Sequence, residues 1–87
     1  MGFYYTVLQS RSHAFILERR LKNEGIDCEL VFIPKEITMD LCNMGVRFKD
    51  IDFGRVINVI KHAGLPECRV YLETVFPNHS QYLEIPI

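Results

Sequence analysis

The chain contains three cysteines, and a cysteine thiolate is a strong protein nucleophile. Cys28 and Cys68 each lie in a run where apolar and polar residues alternate, whereas Cys42 lies in an irregular segment. Alternation is typical of a strand with one buried face, where a free cysteine behaves as a small apolar side chain. We therefore expect Cys28 and Cys68 to be nearly inaccessible packing residues that lie too far apart to pair, and Cys42 to be the candidate for chemistry.

The residues around Cys42 could support a thiolate. Asn43 tolerates a left-handed backbone and Gly45 follows closely, so the N–H groups of a turn here could point toward an anion. Lys35 and Arg47 are the nearest cations in sequence, and a nearby cation favours the thiolate. The residues predicted to surround the thiolate are Lys35, Asn43, Met44, Gly45 and Arg47.

Other roles for these residues stay open. Spacing alone favours a half-buried packing residue between Leu41 and Met44 for Cys42, because most single cysteines are packing residues. The histidines show no metal-ligand spacing with the cysteines, so we expect neither a metal nor a cofactor. A Cys–His pair for nucleophilic catalysis needs no closeness in sequence, but no third residue that would orient it can be named. The histidines are His13, His62 and His79.

The first half of the chain predicts a strand, a helix and a second strand. Phe3–Leu8 is a run of aromatic and β-branched residues that would place apolar side chains on both faces of a strand, which indicates a central strand. Ser10 or Ser12 can cap a helix from about His13 to Glu24, and Gly25 suits its C-terminal end. Alternation over residues 27–32 predicts the second strand, which would bury Cys28, Leu30 and Phe32. The helix would bury Ala14, Leu17 and Leu21, with Phe15 and Ile16 widening its apolar stripe.

The second half repeats the plan of strand, helix and strand. Residues 34–44 form one long irregular connection, followed by a short strand over residues 46–48. A second helix opens at Asp50 and Asp52, where negative charge suits the helix dipole, and it closes at Gly64. A fourth strand follows over residues 68–73, and residues 82–85 could form a fifth short strand.

The predicted fold is α+β and ferredoxin-like, with the order βαββαβ. Right-handed crossovers would place both helices on one face of a four-stranded antiparallel sheet with strand order 4-1-3-2. Residues 1–87 would form a single domain, with a core over about 3–73 and a C-terminal tail over 74–87. The other sheet face would carry aromatic residues that must be covered or must bind something.

Composition excludes several classes of function. The net charge is -1 and the isoelectric point is about 6.3, whereas nucleic-acid binders usually show a basic footprint. We expect the short basic patch at Arg19, Arg20 and Lys22 to be a solvated helix face. No run approaches the length of a membrane span, and the N-terminus does not read as a signal peptide. We therefore expect a cytoplasmic protein with free thiols, since the cysteines are odd in number and lack a Cys-x-x-Cys spacing.

Several segments together resemble the family of selenium/sulfur carrier protein-like domains, over roughly residues 4–72. The opening Ser10-Arg11-Ser12-His13-Ala14, with Glu18, Leu21-Lys22 and Gly25-Ile26, is similar to the start of that family. Ile33-Pro34-Lys35 resembles its proline-containing loop. Cys42-Asn43-Met44-Gly45-Val46-Arg47-Phe48 resembles its Cys-Gly motif leading into a strand, with Asn43 where the family usually has glycine.

The resemblance implies a carrier that holds sulfur or selenium on Cys42 as a persulfide or perselenide. Its partners would be donor and acceptor proteins for that atom, and it would be a carrier more than a true enzyme. The alternative is a non-catalytic interaction or regulatory module that dimerises through its sheet or through the apolar tail over residues 82–87. A third hypothesis, stacking of single-stranded RNA on sheet aromatics, is disfavoured by the acidic isoelectric point.

Overall fold

A computed structural model of the protein describes residues 2–38 and 43–87. The strands are β1 (Phe3–Leu8), β2 (Cys28–Phe32), β3 (Met44–Lys49), β4 (Cys68–Val75) and β5 (Ser80–Ile85). The helices are α1 (Arg11–Asn23) and α2 (Phe53–Ala63), and short 3-10 helices span Lys35–Ile37 and Asp50–Asp52. The chain is therefore α+β, as the sequence predicts.

The strands form one antiparallel sheet in the order β2-β3-β1-β4-β5. The predicted sheet of four strands in the order 4-1-3-2 is therefore wrong in its number of strands. Residues 80–85 pair with β4 and form a fifth strand, because the tail is apolar enough to pack Ile85 against the main core. The other four strands, counted from β4 toward β2, follow one another as 4, 1, 3 and 2 within this larger sheet. The ferredoxin-like assignment stays a prediction.

The main core lies between the sheet and both helices. Ser10 caps α1, because its Oγ accepts a hydrogen bond of 3.2 Å from the His13 N–H. Gly64 ends α2 in a left-handed conformation, with a φ of 69°. One cluster joins both helices to alternate residues of the strands, so the two helices share a face of the sheet. Its buried members are Leu8, Ala14, Leu17, Leu21, Ile26, Cys28, Val46, Phe48, Val56, Ile60 and Val70.

The apolar stripe of α1 is narrower than predicted. Ala14, Leu17 and Leu21 are fully buried, but the side chains of Phe15 and Ile16 are 49% and 44% exposed. At 100° per residue, Phe15 and Ile16 point well away from Leu17, which faces the sheet. They therefore present apolar surface to solvent.

The opposite face of the sheet has its own smaller cluster. Tyr5 and Val7 of β1 pack there against Ile33 and Ile37, with Tyr71 and Tyr82 at the edge of the cluster. The 3-10 helix Lys35–Ile37 thus covers part of the face that the two α-helices leave open. No helix in the described ranges is both long and apolar enough to cross a membrane.

Candidate functional site

The connection between β2 and β3 is closed at its base by one backbone hydrogen bond. The Ile33 N–H donates to the Asn43 carbonyl oxygen at 2.7 Å, directly beyond the end of the β2–β3 pairing. Asn43 itself is exposed. The predicted nucleophile Cys42 falls, with residues 39–41, outside the described residues. The described residues on either side of this segment, 33–38 and 43–47, define its surroundings.

The first part of this connection is anchored to the sheet. Ile37 is only 7% exposed and packs against Tyr5 and Val7. Its N–H donates to the Pro34 carbonyl oxygen at 3.1 Å. The Thr38 hydroxyl donates to the Lys35 carbonyl oxygen at 3.2 Å, while Lys35 is exposed. Both ends of the connection are thus fixed, and the Lys35 ammonium extends into solvent.

Gly45 is a strand residue, which differs from the predicted turn. It lies in β3 opposite Val7 of β1 and Val31 of β2, and its φ is outside the left-handed region. An ideal Cβ placed on Gly45 would overlap the Thr6 carbonyl oxygen and lie 2.6 Å from the Ile33 Cδ1. Close approach of the neighbouring strand and of the Ile33 side chain therefore explains the glycine here.

The start of β3 is also held by the buried side chain of Thr6. Its hydroxyl donates to the Val46 carbonyl oxygen and accepts from the Val46 N–H, both at 3.0 Å. Thr6 is fully buried, so these two bonds satisfy a hydroxyl that would otherwise be costly inside the core. The strand that follows Cys42 is thus fixed in register by a polar contact as well as by the sheet.

Arg47 lies away from the end of β3 that follows Cys42. It is four residues beyond Asn43, about 13 Å along an extended strand. Its guanidinium is paired with the Glu29 carboxylate and lies 4.6 Å from the centre of the Phe3 ring. Arg47 thus contacts residues of β2 and β1. Its position does not favour the predicted support of a Cys42 thiolate, which stays a prediction.

The two described thiols are poorly suited to ionise. Cys28 is buried, its Sγ donates to the Glu18 carbonyl oxygen at 4.0 Å, and burial raises its pKa. Cys68 is half-buried, where near-complete burial was predicted, and burial raises its pKa to about 12. Both are free, as predicted. β3 and β1 lie between their strands, which separates them by about 14 Å, too far for a disulfide.

The end of the sheet near Asn43 also carries the N-terminus of α1. β1 leads into α1 and pairs antiparallel with β3, so the end of β1 and the start of β3 lie together. The first turn of α1 contains no acidic residue, which leaves its positive dipole end uncompensated by charge. A negative charge at this end of the sheet would therefore be favoured.

Phe32 departs from the predicted pattern at the same end. The alternation with Cys28 and Leu30 predicts a buried ring, but Phe32 is 72% exposed. It is the last residue of the edge strand β2 and pairs with Met44, so it has a strand neighbour on one side only. An exposed aromatic ring thus lies next to the residues that follow Cys42.

The contribution of Ile33 was not predicted from the sequence. Its N–H closes the connection and its side chain fills the space above Gly45. A glycine inside an apolar strand is a signal of close approach by another group, and it could have indicated a large side chain next to β3. Among the described residues, no three His, Cys, Asp or Glu side chains are grouped to hold a metal ion.

One comparison with known proteins bears on this site. The family described as "Putative Se/S carrier protein-like" matches residues 3–72, which is most of the chain and includes the segment that contains Cys42. No curated protein and no solved structure matches the chain significantly. The match extends from β1 into β4, and of the described helices and strands it leaves out the end of β4 and the fifth strand. The chain belongs to the Se/S carrier protein-like family.

Proposed function

We propose that the protein carries sulfur or selenium as a persulfide or perselenide on Cys42. The observation that supports this most directly is the burial of Cys28 and the partial burial of Cys68, which raise the pKa of both thiols. The attacking species in such chemistry is the thiolate, which burial disfavours at both positions. Cys42 is the remaining cysteine, and it stands in the segment that matches the family.

The chemistry is an exchange at sulfur. The Cys42 thiolate attacks the terminal sulfur of a donor persulfide, R–S–SH; the new S–S bond forms as the old one breaks, and R–S⁻ leaves. Cys42 then holds the terminal –SH as Cys–S–SH. An acceptor thiolate attacks that terminal sulfur in turn, takes it as its own persulfide and releases the Cys42 thiolate. No electrons are gained or lost overall, so the protein acts as a carrier between a donor and an acceptor protein.

The surroundings of Asn43 support an anion at this end of the sheet. The N-terminus of α1 and the start of β3 lie together there, and Lys35 belongs to the same connection as Cys42. The exposure of Asn43 would let a partner approach the residue beside the thiol. A reducing compartment such as the cytoplasm would keep the three thiols free for this role.

The experiment is an assay of the purified protein for bound persulfide, released as sulfide by a thiol reductant. We expect release from the wild type and from a Cys68→Ser variant, and none from Cys42→Ser. Release that survives Cys42→Ser would contradict the assignment. Unfolding of each variant in urea, measured in parallel, shows that the comparison is made between folded proteins.

A second function, a dimeric interaction module without chemistry, is favoured by the C-terminal hairpin. Leu83 is 63% exposed on the edge strand β5, and Val75 at the end of β4 is 71% exposed. An exposed apolar edge strand is a site where a second copy could add. Sedimentation of the wild type and of Leu83→Glu tests this: a dimer that the substitution dissociates supports it, and a wild-type monomer contradicts it.

A further inference from the structure

A groove of about 610 Å³ runs between α1 and α2 on the outside of the helical layer. Its apolar surface comes from Ile16 of α1 and Val59 of α2. Val59 is partly buried and packs against the main core, whereas Ile16 is 44% exposed. The groove thus has an apolar floor that is open to solvent along one side.

Two arginines and one acidic residue, Glu24, line the groove on its α1 side. Arg19 and Arg20 both line it and are exposed. In the described part of the chain, ion pairs on the helices join Lys22 to Glu18 and Arg55 to Asp52, and neither Arg19 nor Arg20 takes part in one. The overall charge of the chain is -1, so these two guanidinium groups make a local basic surface on a slightly acidic protein.

An exposed apolar pair lies beside these two arginines. Phe15 is 49% exposed and adjoins Ile16, and the two residues border a smaller depression together with Glu18 and Arg19. A solvated helix face would carry polar residues at these positions. Exposed apolar side chains next to unpaired cations are instead the composition of an interaction surface, with an apolar centre and a charged rim.

We propose that this groove docks an acidic amphipathic segment of a partner protein. Carboxylates of the segment pair with Arg19 and Arg20, and its apolar side chains cover Phe15, Ile16 and Val59. The basic surface is too small for nucleic acid, because phosphate recognition needs a longer stripe of cations than Arg19 and Arg20 provide. A short acidic helix with one apolar face complements both the arginines and the apolar side chains of the groove.

The position of the groove connects it to the proposed carrier chemistry, on which the identity of the partner rests. Phe15 and Ile16 lie in the second turn of α1, and the N-terminus of α1 lies at the end of the sheet that carries Asn43. A partner seated on these two side chains would have its adjacent surface close to that end. The docked proteins would then be the donor or the acceptor of the carried atom.

The test uses a designed helical peptide with leucines on one face and glutamates on the other, and a matched peptide with lysines in place of the glutamates. Titration into ¹⁵N-labelled protein, followed by NMR, should shift the amide signals of Ile16, Arg19 and Val59 with the acidic peptide only. Affinity by calorimetry should fall about tenfold in Arg19→Glu/Arg20→Glu, and should weaken with added salt. Arg69→Glu, an exposed arginine on β4, is the control and should leave affinity unchanged.

Three outcomes would overturn the docking proposal. They are equal binding of the lysine peptide, shifts confined to residues outside the groove, and preferential binding of a single-stranded RNA oligomer at Arg19 and Arg20. The titration is repeated on Cys42→Ser, where binding of the acidic peptide should persist. If the wild type fails to bind the acidic peptide, the docking proposal is wrong and the carrier proposal is unaffected. If Cys42 holds no persulfide, the carrier proposal is wrong and the docking site is unaffected.

Discussion

The Ile33 N–H and the Asn43 carbonyl oxygen are joined by a hydrogen bond of 2.7 Å, which closes the chain segment that contains Cys42. A backbone contact of this kind does not depend on the side chain at either position. The residue after Cys42 is therefore held at the sheet end by the main chain, whichever side chain stands at position 42.

Gly45→Ala should destabilise the protein by about 3 kcal/mol. The added methyl group would overlap the Thr6 carbonyl oxygen and press on the Ile33 side chain, so β1, β3 or the connection must shift. Urea unfolding followed by circular dichroism measures the change in the free energy of unfolding.

The matched control for this substitution is Gly54→Ala in α2. No atom lies within 4 Å of a Cβ placed there, and alanine has the higher helix propensity, so we expect a gain of about 0.5–1 kcal/mol. If Gly45→Ala proves as benign as Gly54→Ala, the close approach of Thr6 and Ile33 does not occur in solution.

Thr6→Val should cost about 1–3 kcal/mol although the two side chains have nearly the same shape. The substitution removes both 3.0 Å hydrogen bonds to Val46 and leaves the Val46 N–H buried without that partner. Thr74→Val, at an exposed position of β4, is the control and should stay within about 0.5 kcal/mol. Equal stabilities of the two variants would show that the Thr6 hydroxyl does not fix β3.

Stability should fall at high pH in a way that depends on Cys68. Burial raises the pKa of this thiol from 9.0 to about 12, so between those values the unfolded chain loses the proton while the folded chain keeps it. The unfolded state then binds fewer protons, and the free energy of unfolding falls as pH rises, by about 1 kcal/mol at pH 10. The free energy of unfolding keeps its full value up to about pH 8, where the thiol is protonated in both states.

The measurement compares the wild type with Cys68→Ala across this range. The difference between their free energies of unfolding should be constant up to about pH 8 and should then shrink or reverse as the wild type weakens. Parallel curves up to pH 11 would mean that Cys68 is not desolvated in the folded protein.

Alkylation of the native protein near neutral pH should modify Cys42 and spare the other two thiols. Cys28 and Cys68 are protected by burial and by their raised pKa values, so they should react only at the rate at which the protein opens. Mass spectrometry of digested, iodoacetamide-treated protein separates the three cysteines. Urea-unfolded protein gives the reference in which all three cysteines are accessible. Modification of all three at one rate in the native protein would contradict the proposal that Cys42 alone is reactive.

The alternation of residues in β2 predicted which face of the sheet Cys28 and its neighbours share. It did not predict how much of each side chain is buried there. The alternation correctly assigns Cys28 to the helix-covered face, yet Phe32 on the same face is 72% exposed. Alternation reports which face a side chain shares. It does not report which distant element covers that face, and at the end of an edge strand nothing described covers Phe32.

Gly45 and the tail also depend on contacts between distant residues, which the sequence pattern does not predict. The sequence marks Gly45 as special but suggests a turn, because the close approach of Thr6 and Ile33 arises from pairing across the sheet. The tail carries a weak strand pattern, and its pairing with β4 depends on a free edge that only the folded sheet provides. Contacts between residues far apart in sequence are what the local pattern omits.

The most direct test of the carrier function is to load the protein and locate the sulfur. Reduced protein is incubated with a low-molecular-weight persulfide, the surface persulfides are trapped with an alkylating agent, and the digested peptides are analysed by mass spectrometry. We expect one additional sulfur atom on the peptide that contains Cys42, none on the peptides with Cys28 or Cys68, and none anywhere in Cys42→Ser. Loading of the three cysteines to the same extent, or no loading of Cys42 in folded protein, would contradict the proposal that Cys42 carries sulfur.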